Sequence, residues 1–311
     1  MVKVDLITGF LGVGKTTLIK HYIEYLKSQN KRIHIIENEF GNLSMDQKLL
    51  DDCKDEQCAV SDLTGMCMCC VGKKEFIRLL VDAAHTGCDH ILVEPSGIYD
   101  VDEFFDVLSD SRVCGLCEIG SIITVVDPFM QRDLSKEVRY LMFSQLLASG
   151  MVVVSKSQLA DKEQLDDMLG WLDELMQEKG CETGLMADIV STNWESWTAD
   201  DFADMEDAGY FRMVHEQEDF SHSMLFDSVE MKGSFANREE ILNKVQDIFA
   251  DKSMGNVLRI KGFVKTLDGK QYEVNSTGEF LRIEETEATG NSLVIIGEHL
   301  KYCRSGIQRR K

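Results

Sequence analysis

Short apolar runs alternate with amphipathic stretches along the first 195 residues. "VKVDLITG" reads as a strand, and "KTTLIKHYIEYLKSQ" carries Leu18, Ile19, Tyr22, Ile23 and Leu26 on one helical stripe. "RIHIIEN" predicts a second strand, and "KEFIRLLVDAAHTG" a helix that Gly87 stops. "HILVEPSG", a helix around "VDEFFDVLSD", the strand "SIITVVD", a helix over 134–148, "MVVVSK", a helix near 160–179 and the strand "MADIVST" follow. Such alternation predicts an α/β unit whose mainly parallel sheet is covered on both faces. From residue 221 the order changes. "SMLFDSVEMK", "NVLRIKGFVKT", "KQYEVNS", "EFLRIEE" and "SLVIIGEHL" read as strands around a single helix, "NREEILNKVQDIFAD", with Asn237 as its cap and Glu240 three residues on. Asp268–Gly269 suits a hairpin turn. The expected domains are residues 1–195, an acidic connector at 196–220, and a smaller C-terminal α+β domain with an antiparallel sheet at 221–303.

Composition adds charge to this picture. The 311 residues hold 33 basic and 54 acidic side chains, a net charge of −21. Residues 161–219 contribute 18 Asp and Glu against three Lys and Arg, read as a solvated face, with a docking surface for a basic partner as the sharper alternative. An anionic surface repels phosphate backbones and anionic lipid, so neither nucleic acid nor membrane is an expected partner. The sequence has no apolar run of membrane-spanning length and no signal-peptide pattern, so a cytoplasmic location is expected. In that compartment thiols stay reduced, which turns the ten cysteines toward metal or redox chemistry rather than disulfides.

The first chemical motif is "GFLGVGKT", Gly9 to Thr16, which fits G-x-x-x-x-G-K-[ST] between a strand and an amphipathic helix. Gly9, Gly12 and Gly14 let the backbone curl so that its N–H groups, that of Val13 included, and the helix N-terminus meet phosphates. Lys15 reaches the β- and γ-phosphates, and the Thr16 hydroxyl holds Mg²⁺. The fold expected for residues 1–195 is therefore a P-loop NTPase. Glu94 ends a strand where a carboxylate can act on Mg²⁺ or its water, and Gly97 can offer an N–H to the γ-phosphate. Lys156 ends a later strand, where its alkyl stem can lie along a purine.

"TGFLGVGKTTL", "ENEFGNLSMD", "CMCC", "EPSG", "SKSQ" and "VLRIKGF" together resemble the metal-handling P-loop GTPases that include urease-accessory and hydrogenase-maturation proteins, and within them the CobW-like branch of metallochaperones. The resemblance implies GTP hydrolysis with Mg²⁺, and Zn²⁺ or Co²⁺ as cargo for a client metalloprotein or a cobalamin-pathway protein; an oligomer is left open, and slow intrinsic turnover is expected because no side chain in the sequence clearly aims the attacking water. It adds Thr17 to the phosphate loop. It gives Glu37 to Gly41, with Asp46 downstream, as the first switch, Glu94 and Gly97 as the second, and Cys67, Cys69 and Cys70 as the cysteines between them. The chain departs from the pattern at Gly65–Met66, at Asn42 and at Ser155-Lys156-Ser157-Gln158, where the aspartate that reads guanine is Gln158. GTP is expected, with ATP as the alternative.

Three thiols in four positions suit a soft cation such as Zn²⁺, Co²⁺ or Cu⁺. Adjacent Cys69 and Cys70 point apart, so two of the three with an outside ligand is the expected set, and Glu37 is the leading outside ligand. A structural metal, inert thiols and a redox dithiol are the alternatives. Cys53 and Cys58 are placed in the switch loop as candidate auxiliary ligands. Cys114 and Cys117 form a lone C-x-x-C, while Cys88, Cys181 and Cys303 are read as packing residues. The leading function is a nucleotide-gated metal carrier. The others are a nucleotide-dependent docking protein with structural thiols and a thiol oxidoreductase.

Overall fold

The computed structural model describes residues 1–38, 50, 52–63, 72–181, 184–212, 226–278, 280–301 and 307–308. They form two compact units. One takes the described residues of 1–128 and 134–212; the other takes residues 129–133 and the described residues from 226 onward.

The first unit is built on a seven-stranded sheet. Its strands are β1 (Val2–Thr8), β2 (Ile33–Glu37), β3 (Cys58–Asp62), β4 (His90–Glu94), β5 (Cys117–Val126), β6 (Met151–Val154) and β7 (Asp188–Val190). They lie in the order β3-β2-β4-β1-β5-β6-β7, and every pairing is parallel. The central strands are apolar on both faces because helices cover both. These helices are α1 (Lys15–Ser28), α2 (Gly72–His85), α3 (Val101–Leu108), α4 (Lys136–Ala148), α5 (Lys162–Glu178) and α6 (Ala199–Glu206). The stripe read in α1 is the stripe it buries, Leu18, Ile19, Tyr22, Ile23 and Leu26. Helix α4 buries all but three of its side chains, so no one-sided stripe marks it.

Two elements differ from the sequence reading. Cys58, placed in a loop, opens the edge strand β3, whose five residues "CAVSD" carry one fully buried side chain. Within the stretch expected as a connector, α6 is capped by Thr198 and packs into the first unit. Phe202 stacks on Tyr25 at 5.7 Å between ring centroids and on Tyr22 at 6.4 Å. Below it lies a buried polar knot. Asp5 accepts from the Tyr22 hydroxyl at 3.1 Å and the Ser121 N–H at 2.8 Å, and His90 bridges Asp5 Oδ2 at 3.1 Å and Glu206 Oε1 at 3.3 Å.

The second unit is a six-stranded antiparallel sheet with one long helix, α7 (Arg238–Ala250). Its strands are β8 (Phe226–Met231), β9 (Asn256–Lys265), β10 (Gln271–Ser276), β11 (Leu281–Glu285), β12 (Ser292–Glu298) and β13 (Ile307–Gln308), ordered β11-β10-β9-β12-β8-β13. The Asn237 side chain accepts from the Glu240 N–H at 3.0 Å, as expected of a cap, while the Glu240 carboxylate turns back to the Ala236 N–H. Asp268–Gly269 sits in the β9–β10 turn, with Gly269 at φ +89°. Residues 129–133 leave β5 and join this unit, where Gln131 Nε2 donates to Asn256 Oδ1 at 3.2 Å. Among the described residues no helix is long and apolar enough to cross a membrane.

Candidate nucleotide and metal site

The loop from Gly9 to Gly14 joins the end of β1 to α1, with Gly9, Gly12 and Gly14 at φ +135°, +76° and +103°. Helices α3 to α7 each start on a side-chain cap, but α1 starts on Gly14 with none and has no acidic residue in its first turn. Its leading N–H groups and its positive dipole end are thus arranged for an anion. Lys15 is buried there and donates to the carbonyls of Gly9 at 3.0 Å and Phe10 at 3.3 Å, which aims its ammonium along the loop. Beside it the Thr16 hydroxyl donates to Glu94 Oε1 at 2.7 Å. Hydroxyl and carboxylate oxygens side by side are the hard donors that Mg²⁺ takes. Val13 is buried in the same loop, while Thr17, the third residue of the helix, is exposed.

Gly97 stands against this loop. A Cβ added there would lie 2.5 Å from the Leu11 nitrogen and 2.7 Å from the Phe10 carbonyl carbon, so the segment after β4 touches the phosphate loop backbone to backbone. From Glu94 the site extends sideways. Glu94 is in register with Glu37 on β2, which is in register with Asp62 on β3. In-register side chains of parallel strands share a face, so three carboxylates line the carboxyl ends of three adjacent strands. Asn38 ties them together: its N–H donates to the Glu94 carbonyl at 2.8 Å, and its Nδ2 donates to the Leu63 carbonyl at 2.8 Å. The Leu63 N–H in turn donates to the Glu37 carbonyl at 2.9 Å.

The chain leaves this row at Leu63 and returns at Gly72, the start of α2. Cys67, Cys69 and Cys70 lie between, outside the described residues, as does Asp46 of the expected first switch. Among the described residues no three His, Cys, Asp or Glu side chains converge to hold a metal. Cys58, an expected auxiliary ligand, is buried in β3, which pushes its thiol up to about 11; burial also raises Cys53. In the lone C-x-x-C, Cys114 is exposed, whereas Cys117 is buried in β5 and likewise raised to about 11. Cys88 and Cys181 are buried, the packing places read for them.

On the other side of β1, Ser155 follows β6 and is buried. Lys156 takes a left-handed backbone at φ +52° and pairs its ammonium with the buried Asp127 at the end of β5. Gln158 is exposed. Trp194, in a short turn after β7, was not singled out by the sequence: a Cβ on Gly14 would stand 3.4 Å from its Cη2 atom. The only textual trace is a tryptophan a few residues beyond a weak strand.

Three residues past the second-switch motif begins a charged patch. Burial, with Asp100 and Asp106 nearby, raises the Glu103 carboxyl from 4.5 to about 7. Among the described residues its Oε2 has no hydrogen-bond partner. Between those values the unfolded chain ionises Glu103 before the folded chain does, so folding stability falls as pH rises from about 4.5 to 7 and levels off above. Urea midpoints across that range should show the decline, and Glu103→Gln should flatten it; an unchanged slope in the variant would assign the decline elsewhere.

A strand, a glycine loop and a lysine–threonine helix start at the carboxyl edge of a parallel sheet define a P-loop nucleotide-binding protein. Residues 3–181 match the family CobW/HypB/UreG, nucleotide-binding domain, and residues 230–310 match the cobalamin synthesis protein cobW C-terminal domain. The chain belongs to the CobW/HypB/UreG family. Similar proteins include the zinc chaperone CobW of Sinorhizobium sp, 26% identical over 332 aligned positions that cover 94% of this chain and 92% of that protein. The zinc chaperone YeiR of Escherichia coli (strain K12) is 29% identical over 172 positions, 55% of this chain and 51% of that one. Among solved structures, Zn(II)-bound YjiA GTPase from E. coli covers 96% of this chain and 95% of its own at 17% identity and a TM-score of 0.45.

Proposed function

We propose that this protein is a GTP-hydrolysing metallochaperone that loads a transition metal onto a client metalloprotein. The observation that carries the reading is the register of Glu37 with Glu94, joined to the 2.7 Å contact between Glu94 and Thr16. One carboxylate row thereby runs from the phosphate loop to the strand end where the thiol segment departs. Relatives named zinc chaperones favour zinc over cobalt as the cargo.

Lys15, the loop N–H groups and the α1 terminus bind the triphosphate; Lys15 exchanges its carbonyl partners for phosphate oxygens. Thr16 and Glu94 would hold Mg²⁺, which neutralises charge on the β- and γ-phosphates when bound. The Gly97 N–H stands close enough to the loop to follow the γ-phosphate. Loss of that phosphate relaxes the Gly97 segment and, through Glu94 and Asn38, the ends of β2 and β3. Glu37 with two of Cys67, Cys69 and Cys70 holds the cargo, so its affinity follows the same movement. Asp46 completes the first switch.

Titration of reduced protein with Zn²⁺ in the presence of Mg²⁺ and either GDP or a non-hydrolysable GTP analogue tests the coupling. An affinity difference of at least tenfold is expected, about 1.4 kcal/mol; equal affinities would remove the gating. Glu37→Ala should weaken Zn²⁺ binding about tenfold or more while leaving triphosphate affinity within about twofold. Thr16→Ala should lower Mg²⁺-dependent hydrolysis by about 10²-fold with little change in Zn²⁺ affinity. If both variants lost both functions equally, the roles would not be separable as drawn.

A further inference from the structure

The contact between Trp194 and the phosphate loop points to how the base is held. The Thr16–Glu94 contact marks the β4 side of β1 as the side of the γ-phosphate and its metal. The rest of a nucleotide then extends the other way, over the carboxyl ends of β5, β6 and β7. Gly14 lies on that path. The position of its missing Cβ is 3.4 Å from Trp194 Cη2, 3.7 Å from Cζ2 and 3.8 Å from Ser155 Cβ. The rim of the indole and the Ser155 side chain therefore flank the loop where phosphates give way to sugar and base. Ser155 is 1% exposed, and among the described residues its hydroxyl has no hydrogen-bond partner.

The groups that could read a purine edge are poorly suited to it. A guanine-reading carboxylate accepts from two N–H groups at once; Gln158 has one carbonyl oxygen and an amide donor, and it is exposed to competing water. Lys156 pairs its ammonium with the buried Asp127. The aromatic rim offers apolar contact, and such contact accepts any purine.

Resting on the nucleotide reading above, we propose that Trp194 is the principal wall of the base subsite and that it makes the site tolerant of the purine. The ligand class is a purine nucleoside triphosphate held by its phosphates and by one aromatic contact. GTP is preferred over ATP by less than about tenfold, because Gln158 stands where a guanine-reading carboxylate would separate them.

Calorimetric titration of the full chain with Mg²⁺ and non-hydrolysable analogues of GTP and ATP tests this, with inorganic tripolyphosphate as the probe that has phosphates but no base. Trp194→Ala should weaken both nucleotides by about tenfold and by similar factors, leave tripolyphosphate unchanged, and Trp194→Phe should recover most of the loss. Gln158→Asp should raise the GTP preference of the otherwise unaltered chain. Unchanged nucleotide affinity in Trp194→Ala would overturn the proposal. So would a parallel loss of tripolyphosphate, which would make Trp194 a buttress of the loop, or a wild-type preference of tenfold or more for one purine. If the wild-type chain bound neither nucleotides nor tripolyphosphate, the nucleotide reading itself would fall and this inference with it.

Discussion

Gly97→Ala should lower triphosphate hydrolysis by about 10²-fold, the loss expected when reacting groups shift by about 1 Å. The added methyl group would stand 2.5 Å from the Leu11 nitrogen, 2.7 Å from the Phe10 carbonyl carbon and 2.8 Å from the Leu11 Cα. All three are backbone atoms, so no side chain can swing aside. The backbone at Gly97 is not left-handed, so the cost is the collision rather than torsional strain. Either the phosphate loop moves away from its place over α1, or the segment after Glu94 withdraws and takes the carboxylate from Thr16. Both outcomes separate parts that must act together. Steady-state hydrolysis with a separate measurement of triphosphate affinity checks the expectation, and a variant that keeps wild-type values in both would show the contact to be slack.

Asp5→Ala should destabilise the first unit by about 3–5 kcal/mol, as expected on removing one partner from a buried charged network. Asp5 is wholly buried near the middle of β1. Its loss strands the Tyr22 hydroxyl, the Ser121 N–H and one nitrogen of His90 in a site closed to water. The other end of the knot would weaken with it, since His90 also faces Glu206, which pairs with Lys31. An exposed pair offers the contrast. Lys270 and Glu285 meet at 2.8 Å with side chains 49% and 59% exposed, and Glu285→Ala should cost less than about 1 kcal/mol. Urea denaturation of the two variants beside the wild type gives the comparison; similar midpoints for both would mean that the knot relaxes or hydrates without penalty.

Much of the architecture could be read directly because its causes are local. Apolar runs such as "HILVE" and "MVVV" need cover on both faces wherever they occur, and α1 buries the stripe that its sequence displays. The phosphate loop was legible for the same reason: glycines, lysine and threonine act within eight residues of one another. What escaped depends on distant partners. Strand β3 is an edge strand with one fully buried residue, so its five residues lack a periodic signature. Helix α6 sits in a strongly acidic stretch, and its place comes from Phe202 meeting two tyrosines of α1 and Glu206 meeting His90 and Lys31. Trp194 reaches Gly14 across a separation of 180 positions, which no local pattern encodes. Glu37 and Glu94 were recognised separately, but their shared register follows only from β2 pairing with β4.

The loan of residues 129–133 to the C-terminal sheet means that no single cleavage point releases that half of the chain whole. A fragment beginning near residue 221 would carry Asn256 but not Gln131, and so would forfeit the amide bond between them. The two halves are interleaved along the polypeptide rather than strung end to end. Excising one as a free-standing module would require grafting this short donated strip back onto it.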